Sequence, residues 1–281
     1  MQLRTLKTLT PDTTPPDPEG WQRLWHGFFQ LEHVRSPEQR QQTALAHTPP
    51  VDREVLNMRD VETQLLLNMV LDIRKQEITM FELGAGRGDW CLTLAGVIEH
   101  RLIPCMARSY RCLAIEGEPT HYEWTRTHFE KQHVNAVAVH GAVTAHDGSV
   151  RFDATTDPAS HYGQAIDERR GNLTVPAYTV DTLMAEHGFE HVDIVHLDVQ
   201  GEEYNALVGA ERALAENRID YVLVASHDRE MDFHETIPAL LAPDFDILFD
   251  VRPKAGIANT VFGEAFFPSH GLLVLKRKAL A

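Results

Sequence analysis

About a quarter of the way along, the chain reads Ile78-Thr79-Met80-Phe81-Glu82-Leu83-Gly84-Ala85-Gly86-Arg87-Gly88-Asp89, an apolar run that ends in an acidic residue and three alternating glycines. This pattern is typical of a buried parallel strand that passes into a tight turn beneath a nucleoside. Glycine suits such a turn because it adopts positive φ angles and lets the backbone approach a ligand closely. The stretch therefore predicts an open α/β sheet with a cofactor at the carboxyl end of this strand.

The glycine spacing distinguishes between two nucleoside cofactors. Dinucleotide-binding turns follow the pattern G-x-G-x-x-G/A, with an acidic residue about 20 positions further on. Here Asp89 occupies the third position, and its side chain is too large for close packing of helix on strand. The next acidic residue that ends an apolar run, Glu116, lies 32 residues beyond Gly84. Both departures favour S-adenosylmethionine over a nicotinamide dinucleotide.

Apolar runs on both sides of the turn predict the rest of the sheet. Seven of them alternate with helical patterns, at residues 78–83, 112–116, 134–140, 192–198, 221–226, 245–251 and 271–276. This alternation predicts an α/β fold with a seven-stranded, mostly parallel, doubly wound sheet of the Rossmann-like kind. No clear helix separates the last two runs, so we expect those strands to be antiparallel. Residues 148–152 and 175–178 predict an inserted ribbon, with a polar loop at 153–173 between its strands.

The N-terminal part of the chain has a different composition. Residues 1–20 are rich in Thr, Pro and Asp and are expected to be poorly ordered. The aromatic segment 21–34 predicts a short helix packed on the main domain or over its pocket. A further helix is expected from Asp60 to Lys75, with Asp60 as its cap. These patterns divide the chain into an N-terminal extension, partly disordered and then helical, at 1–58 and a cofactor-binding domain at 59–281.

Composition limits the classes of function. The 281 residues are 43% hydrophobic and carry a formal net charge of −15, which argues against a nucleic-acid substrate because phosphate binding needs a basic surface. No apolar run approaches the about 20 residues that span a bilayer, and no signal-peptide pattern begins the chain. Cys91, Cys105 and Cys112 show no metal-ligand spacing, and their odd number fits a reducing compartment. We therefore expect a cytoplasmic protein, and a homo-oligomer is compatible with the sequence.

Four blocks in a fixed order resemble a known family. They are the glycine turn; Ala114-Ile115-Glu116-Gly117-Glu118-Pro119; Gly141-Ala142-Val143 with Asp147-Gly148-Ser149-Val150-Arg151-Phe152; and Val180-Asp181-Thr182-Leu183 with Val192-Asp193-Ile194-Val195-His196-Leu197-Asp198-Val199-Gln200-Gly201-Glu202-Glu203 and Leu207-Val208-Gly209-Ala210. Over about residues 78–250 the chain resembles the FkbM family of S-adenosylmethionine-dependent methyltransferases. The resemblance implies a class I methyltransferase fold at 59–281. It also implies methylation of a hydroxyl on a small molecule, a sugar or natural product, with S-adenosylhomocysteine as the product.

Ligands of open α/β sheets bind outside the carboxyl ends of the strands, so the cofactor residues are expected there. Glu116 would accept both ribose hydroxyls, with Glu118 as the alternative, and Glu82 would face the cofactor's amino group. Ala142 and Val143 would form an apolar shelf for adenine, or serve only as strand-end packing. The expected cofactor-binding residues are Glu82, Gly84, Ala85, Gly86, Gly88, Glu116, Gly117, Ala142, Val143 and Asp198.

Two residues at strand ends are the candidates for catalysis. A hydroxyl acceptor must lose its proton as its oxygen attacks, so a base is needed within hydrogen-bond reach. His227 is the candidate base because the usual pKa of histidine lies near neutrality, or it shapes the pocket only. Asp198 would assist it or hold the methionine end of the cofactor. His196 is expected to be a core residue. Other side chains are expected to border the acceptor entrance or to be ordinary surface residues, namely Tyr162, His161, Arg170, Asn259 and His270.

The residues leave further alternatives open. Asp198, Glu202, His227 and Asp228 would together suit Mg²⁺, which lowers the pKa of an acceptor hydroxyl. Against this, a carboxylate at the position of Glu202 is favoured by the helix dipole without any metal, and we expect none. An N-methyltransferase, an aminopropyl transferase and a catalytically silent S-adenosylmethionine-binding protein would use the same turn. A nicotinamide oxidoreductase is disfavoured by Asp89.

Overall fold

The computed structural model describes residues 21–23, 29–31, 58–99, 108–227, 231–252, 259–261, 264–266 and 270–279. In chain order the elements in these ranges are β1 (Trp21–Arg23), β2 (Phe29–Leu31), α1 (Met58–Asp72), β3 (Glu77–Leu83), α2 (Asp89–Glu99), β4 (Ser109–Glu116), α3 (Pro119–Lys131), β5 (Ala136–His140), β6 (Ala142–Val143), β7 (Gly148–Phe152), β8 (Leu173–Tyr178), α4 (Val180–Glu186), β9 (Val192–Leu197), α5 (Glu203–Val208), α6 (Glu211–Ala215), β10 (Ile219–Ser226), α7 (Phe233–Leu241), β11 (Phe245–Val251), β12 (Asn259–Val261), β13 (Glu264–Phe266) and β14 (Gly271–Arg277).

A seven-stranded sheet forms the centre of the described structure. Its strand order is β11-β14-β10-β9-β3-β4-β5. The neighbours from β10 to β5 pair in parallel, whereas β14 is antiparallel to both β10 and β11. These strands coincide with the seven apolar runs of the sequence. The predicted fold class and its antiparallel final pair are therefore confirmed.

The register of the central strands sets the position of the site. Leu83 at the end of β3 pairs with Ile115 on β4 and with Leu197 on β9. The strand order also reverses here, because the chain runs from β3 to β4 and β5 on one side and returns to β9 on the other. The turns after β3, β4 and β9 therefore meet at the switch point of the sheet, where such folds bind ligands.

Alternate residues of β3 face two different hydrophobic layers. Ile78 and Met80 belong to the cluster that includes α1 and α2 residues. Phe81 and Leu83 belong to the opposite cluster, together with residues of α4, α5 and α7. All four side chains are completely buried. The period of two along the strand thus produces a sandwich of helices on both faces of the sheet, which holds the switch point rigidly.

The structure corrects two details of the N-terminal prediction. Trp21–Arg23 and Phe29–Leu31 are strands that pair antiparallel, so a helix over residues 21–34 is wrong for these residues. Helix α1 begins at Met58, so Asp60 lies inside it rather than at its cap. The boundary between the extension at 1–58 and the domain at 59–281 stays a prediction.

The inserted ribbon is present and is larger than expected. Strands β7 and β8 pair antiparallel, and β6 adds a third strand parallel to β8. The ribbon follows β5 directly, so Ala142 and Val143 stand at the same edge of the sheet as the glycine turn. No helix in the described ranges combines the length and apolar character that crossing a membrane would demand.

Candidate active site

The glycine turn after β3 is held by backbone hydrogen bonds. The N–H groups of Gly84 and Ala85 both donate to the carbonyl of Ile115, each at 3.0 Å. Gly84 has a φ of +81°, and a β-carbon placed on it would lie 1.9 Å from the carbonyl oxygen of Asp198. A side chain is excluded here on both grounds, since the turn lies directly against the end of β9.

The other two glycines of the turn serve different purposes. Gly86 has a φ of +57° and Gly88 a φ of +75°. A β-carbon on Gly88 would lie 2.7 Å from the ring of Phe129 in α3, so this glycine permits close packing of the turn on that helix. The carbonyl of Gly86 accepts a hydrogen bond of 3.0 Å from the Thr125 hydroxyl. The turn is therefore fixed from the α3 side.

The Glu116 carboxylate lies beneath the turn at the end of β4. One oxygen accepts the Gly86 N–H at 2.7 Å, and the other accepts the Glu118 N–H at 2.8 Å. Burial raises the pKa of Glu116 above its usual range, although these two N–H donors oppose the shift. Glu118 caps α3 instead, because its side chain accepts the His121 N–H at 2.8 Å. We call Gly84, Gly86 and Glu116 the turn cluster.

Glu82 lies at the pocket margin, but its carboxylate is hydrogen-bonded to the start of a helix. Its two oxygens accept the backbone N–H groups of Trp90 and Cys91, at 3.0 and 2.8 Å, in the first turn of α2. Burial raises the pKa of Glu82 to about 7 despite these donors. Both oxygens keep one further lone pair each, but their first partners belong to the protein. The carboxylate therefore ties the glycine turn to α2.

A pocket of about 310 Å³ opens at this edge of the sheet. Its apolar wall comes from the inserted ribbon and the strand ends, through Ile115, Val143, Phe152 and Ile166. Of the expected cofactor residues, Gly88 is set back against Phe129. The remaining ones line the pocket, namely Glu82, Gly84, Ala85, Gly86, Glu116, Gly117, Ala142, Val143 and Asp198.

Asp198 and His227 form a pair at the ends of β9 and β10. The His227 Nε2 lies 2.9 Å from the Asp198 Oδ1, which also accepts the Gln200 amide at 2.9 Å. Burial disfavours charge on Asp198, but the hydrogen bond from His227 keeps the pKa of this carboxyl below its usual range. Burial likewise opposes protonation of His227, and the Asp198 hydrogen bond nevertheless raises the pKa of the imidazole. The two expected catalytic residues are thus in contact.

Helix α1 supplies two side chains that sequence reasoning missed at the site, Arg59 and Glu62, and they lie beside His270, which directly precedes β14 and is expected at the acceptor entrance. Arg59 of α1 forms a 2.7 Å ion pair with Asp89, and Glu62 lies 3.2 Å from the Nε2 of His270. The His270 ring centroid is 4.9 Å from that of His227. Arg59 and Glu62 are three positions apart, which is the only sequence signal that they share a helix face. We define the charged cluster as Arg59, Glu62, Asp198, His227 and His270.

Other expected residues lie at the margins. His196 is buried against Trp90 with ring centroids 5.2 Å apart, and burial lowers its pKa. Neither of its nitrogens has a hydrogen-bond partner among the described residues. His161 and Arg170 are exposed. Tyr162 lies over the glycine turn, while the side chain of Asn259 falls outside the description.

Among the described residues, the three candidate metal ligands Asp198, Glu202 and His227 do not form a group with ligand-like spacing. Glu202 accepts hydrogen bonds from Thr144 and Asn205, each at 2.9 Å, and Asp228 lies outside the described residues. Within the described part of the chain, one group has ligand-like spacing: His191, Asp193 and Asp220. It lies at the opposite edge of the sheet, where Lys75 forms ion pairs of 2.5 and 2.8 Å with the two carboxylates. An ammonium group already balances that charge.

A family model described as the methyltransferase FkbM domain matches residues 82–247, more than half of the 281-residue chain. A search of curated protein sequences finds no match. The match begins at Glu82 and ends in β11, so it leaves out α1 and β14. The charged cluster is therefore shared between the matched region and the segments on either side of it.

Several solved structures are similar at low identity. Methyltransferase FkbM from Methylobacillus flagellatus KT is 14% identical with a TM-score of 0.47, over 72% of this chain and 44% of that chain. The present chain thus spans less than half of that protein's length. The MTase domain of METTL16 is 10% identical with a TM-score of 0.47, over 92% and 86% of the two chains. M. capricolum TrmK, in complex with S-adenosylhomocysteine, is 7% identical with a TM-score of 0.39, over 75% and 67%.

Proposed function

The chain belongs to the FkbM family of methyltransferase domains, and we propose that it methylates a hydroxyl group of a small molecule with S-adenosylmethionine as the methyl donor. The turn cluster is the observation that carries the choice of cofactor. Each oxygen of Glu116 accepts one backbone N–H, and each keeps a second lone pair for a ligand hydroxyl. Two adjacent acceptors suit the two neighbouring hydroxyls of a ribose.

The walls of the pocket support the same assignment. Val143, Phe152 and Ile166 provide an apolar surface for a base, and Gly84 and Gly86 line the pocket beside it. A dinucleotide turn would need a small residue at position 89. Asp89 is instead buried and paired with both Arg59 and Arg87, at 2.7 and 3.2 Å. This ion-pair network favours the single nucleoside.

We assign the acceptor to the charged cluster. S-adenosylmethionine supplies a methyl group that its sulfonium already activates, so the protein must align the acceptor and remove a proton. Alignment alone lowers such barriers by roughly 7–11 kcal/mol. His227 takes the hydroxyl proton in its neutral form, and Asp198 orients the imidazole and stabilises the cation that results. No metal ion is needed in this mechanism.

The acceptor is proposed to be polar and small. A net charge of −15 disfavours a phosphate backbone, and family resemblance favours a sugar or natural product. Arg59, Glu62 and His270 offer both hydrogen-bond donors and acceptors at the pocket wall, which suits a molecule with several hydroxyls. Buried free cysteines at positions 91 and 112 support a cytoplasmic location.

Calorimetric titration of the full chain with S-adenosylhomocysteine, with NADH in parallel, tests the cofactor assignment. We expect micromolar binding of S-adenosylhomocysteine alone. NADH binding alone would overturn the proposal, and binding of neither by folded protein would leave a chain without a working cofactor site. Transfer of a labelled methyl group to panels of sugars, secondary metabolites and amines then tests the acceptor. Labelled amines without labelled alcohols would replace O-methylation by N-methylation, and no labelled product despite binding would favour a silent binding protein.

A further inference from the structure

The polar loop between β7 and β8, residues 153–172, is tied down at its base. Phe152 forms a bridge with Ile166 across the loop. The side chain of Asn172 donates to the Ala154 carbonyl at 2.8 Å and accepts the Ala154 N–H at 2.9 Å. These contacts bring the middle of the loop back over the carboxyl edge of the sheet.

Tyr162 in the middle of this loop is packed between two side chains of the nucleoside side. Its ring stacks on His121 with centroids 4.4 Å apart and an interplanar angle of 5°. The Arg87 guanidinium carbon lies 5.1 Å from the Tyr162 ring centroid. His121 also donates from Nε2 to the Pro158 carbonyl at 2.9 Å, which anchors the loop a second time. The ring is therefore held in one orientation.

The ring also lies directly over the turn cluster. A β-carbon placed on Gly86 would be 3.6 Å from two ring carbons of Tyr162. The N–H of the same Gly86 is bound by Glu116, which faces the pocket from below. Tyr162, His121 and Glu116 all line that pocket. The ring faces are taken by His121 and Arg87, so one ring edge of Tyr162 borders the turn next to Glu116.

We infer that Tyr162, supported by His121, is a cofactor-binding residue whose ring covers the ribose of the bound nucleoside. This inference rests on the proposed use of S-adenosylmethionine, and it assigns the inserted loop to the cofactor rather than to the acceptor. An apolar ring edge against the ribose excludes water from the hydrogen bonds to Glu116 and strengthens them. Because the ring covers the ribose, the nucleoside leaves only after Tyr162 moves off His121. Loss of the ring therefore acts mainly on the dissociation rate.

The test compares S-adenosylhomocysteine binding by the full-length wild type, Tyr162→Ala and Tyr162→Phe. Calorimetry gives Kd, and stopped-flow displacement followed by tryptophan fluorescence gives the dissociation rate, since Trp90 lines the pocket. We expect Tyr162→Ala to raise Kd by about 5–20-fold, mostly through faster dissociation, and Tyr162→Phe to stay within about twofold of wild type. His161→Ala is the matched control, because it changes an exposed neighbour in the same loop and should leave Kd unchanged.

A double-mutant cycle tests the support from His121. If the two rings act as one wall, His121→Ala should also raise the Kd for S-adenosylhomocysteine. The Kd of the double variant should then be at most about twice that of the weaker-binding single variant. Fully additive losses would overturn the paired wall, and a wild-type Kd and dissociation rate in Tyr162→Ala would overturn the inference while leaving the proposed function intact. Failure of the wild type itself to bind S-adenosylhomocysteine would overturn both.

Discussion

The turn cluster and four residues of the charged cluster, Arg59, Glu62, Asp198 and His270, line one pocket, and the two clusters are built in opposite ways. His227 joins the charged cluster through its contact with Asp198. The turn cluster consists of two glycines and one carboxylate, and its geometry comes from backbone hydrogen bonds such as those of Gly84 and Ala85 to Ile115. The charged cluster consists of long polar side chains joined by ion pairs and hydrogen bonds. The first lies wholly within the family match at 82–247, whereas the second needs Arg59, Glu62 and His270 from outside it.

The difference in construction carries over to electrostatics. Burial dominates in the turn cluster, where it raises the pKa of Glu116. In the charged cluster burial disfavours both charges, but the hydrogen bond between Asp198 and His227 outweighs it. The pKa of the Asp198 carboxyl is therefore lowered, and the pKa of the His227 imidazole is raised. A site that binds the same cofactor throughout a family can rely on backbone geometry. The charged cluster depends instead on side chains, which a single substitution can change.

The largest effect should follow from a substitution that strains the backbone of the glycine turn. Gly84→Ala adds a left-handed non-glycine residue, which costs about 1–2 kcal/mol, and a clash with the Asp198 carbonyl that adds about 1–3 kcal/mol. Urea unfolding should show a loss of about 2–5 kcal/mol. Gly188→Ala is the matched control, because Gly188 has a φ of +65° and the nearest atom to an added β-carbon is 4.0 Å away. An equal loss in both variants would mean that close approach to Asp198 is unimportant.

The charged cluster should respond through turnover rather than stability. With the acceptor found by screening, His227→Gln should reduce kcat by about 10²-fold or more and leave the Kd for S-adenosylhomocysteine within about twofold. His191→Gln changes a histidine at the far edge of the sheet and should have no effect. Wild-type turnover in His227→Gln would remove that residue from catalysis.

The pH profile sharpens the same assignment. His227 accepts a proton only when neutral, and its pKa is raised, so kcat should rise with pH through a midpoint above the usual 6.5. Asp198→Asn should move that midpoint to lower pH, because the carboxylate no longer stabilises the imidazolium. A midpoint that stays in place would separate Asp198 from the titrating group.

A smaller effect is expected at the carboxylate of the turn cluster. Glu116→Ala should weaken S-adenosylhomocysteine binding by about 1–3 kcal/mol, because the ribose hydroxyls lose charged acceptors. Glu118→Ala is the control two residues away, since it removes a helix cap and should cost about 1 kcal/mol of stability. Calorimetry and urea unfolding on both variants separate the two roles. Unchanged affinity in folded Glu116→Ala would exclude this residue from the cofactor site.

The smallest effect is expected on the free energy of unfolding, from substitutions at two buried acids, Glu82 beside the turn cluster and Glu203 beside the charged cluster. Burial raises the pKa of both Glu82 and Glu203 to about 7, so their contributions to stability fall as the pH rises from about 4.5 to 7. Glu203 has one oxygen without a hydrogen-bond partner in the described residues, and Glu203→Gln should gain about 1 kcal/mol over wild type at pH 8 but not at pH 4.

Glu82 should behave in the opposite way, because both of its oxygens already hold backbone N–H groups of α2. Glu82→Gln turns one acceptor into a donor that faces another donor, so stability should fall at both pH values. Urea unfolding at pH 4 and pH 8 measures both variants. The same response from both would contradict the distinction between satisfied and unsatisfied carboxylates.

Much of the fold could be predicted from local pattern. The apolar runs at 78–83 and 192–198 must be buried in any fold of this chain, so the sequence predicts that they are central strands. Parallel order then follows from the alternation with helices. The helix predicted for segment 21–34 is wrong at its two strands because aromatic residues suit both a helix face and a strand. The pairing of Trp21–Arg23 with Phe29–Leu31 decides in favour of strands.

The sequence by itself determined the parallel sheet, the glycine turn and the strand-end positions of Glu116 and Asp198, because these depend on hydrophobic period and backbone freedom over a few residues. Only the tertiary structure decided that α1 and β14 complete the pocket, with Glu62 and His270 in contact across 208 residues of chain. It also decided that the loop with Tyr162 lies over the turn. Such contacts depend on how whole elements pack, and no short pattern records the packing of distant elements.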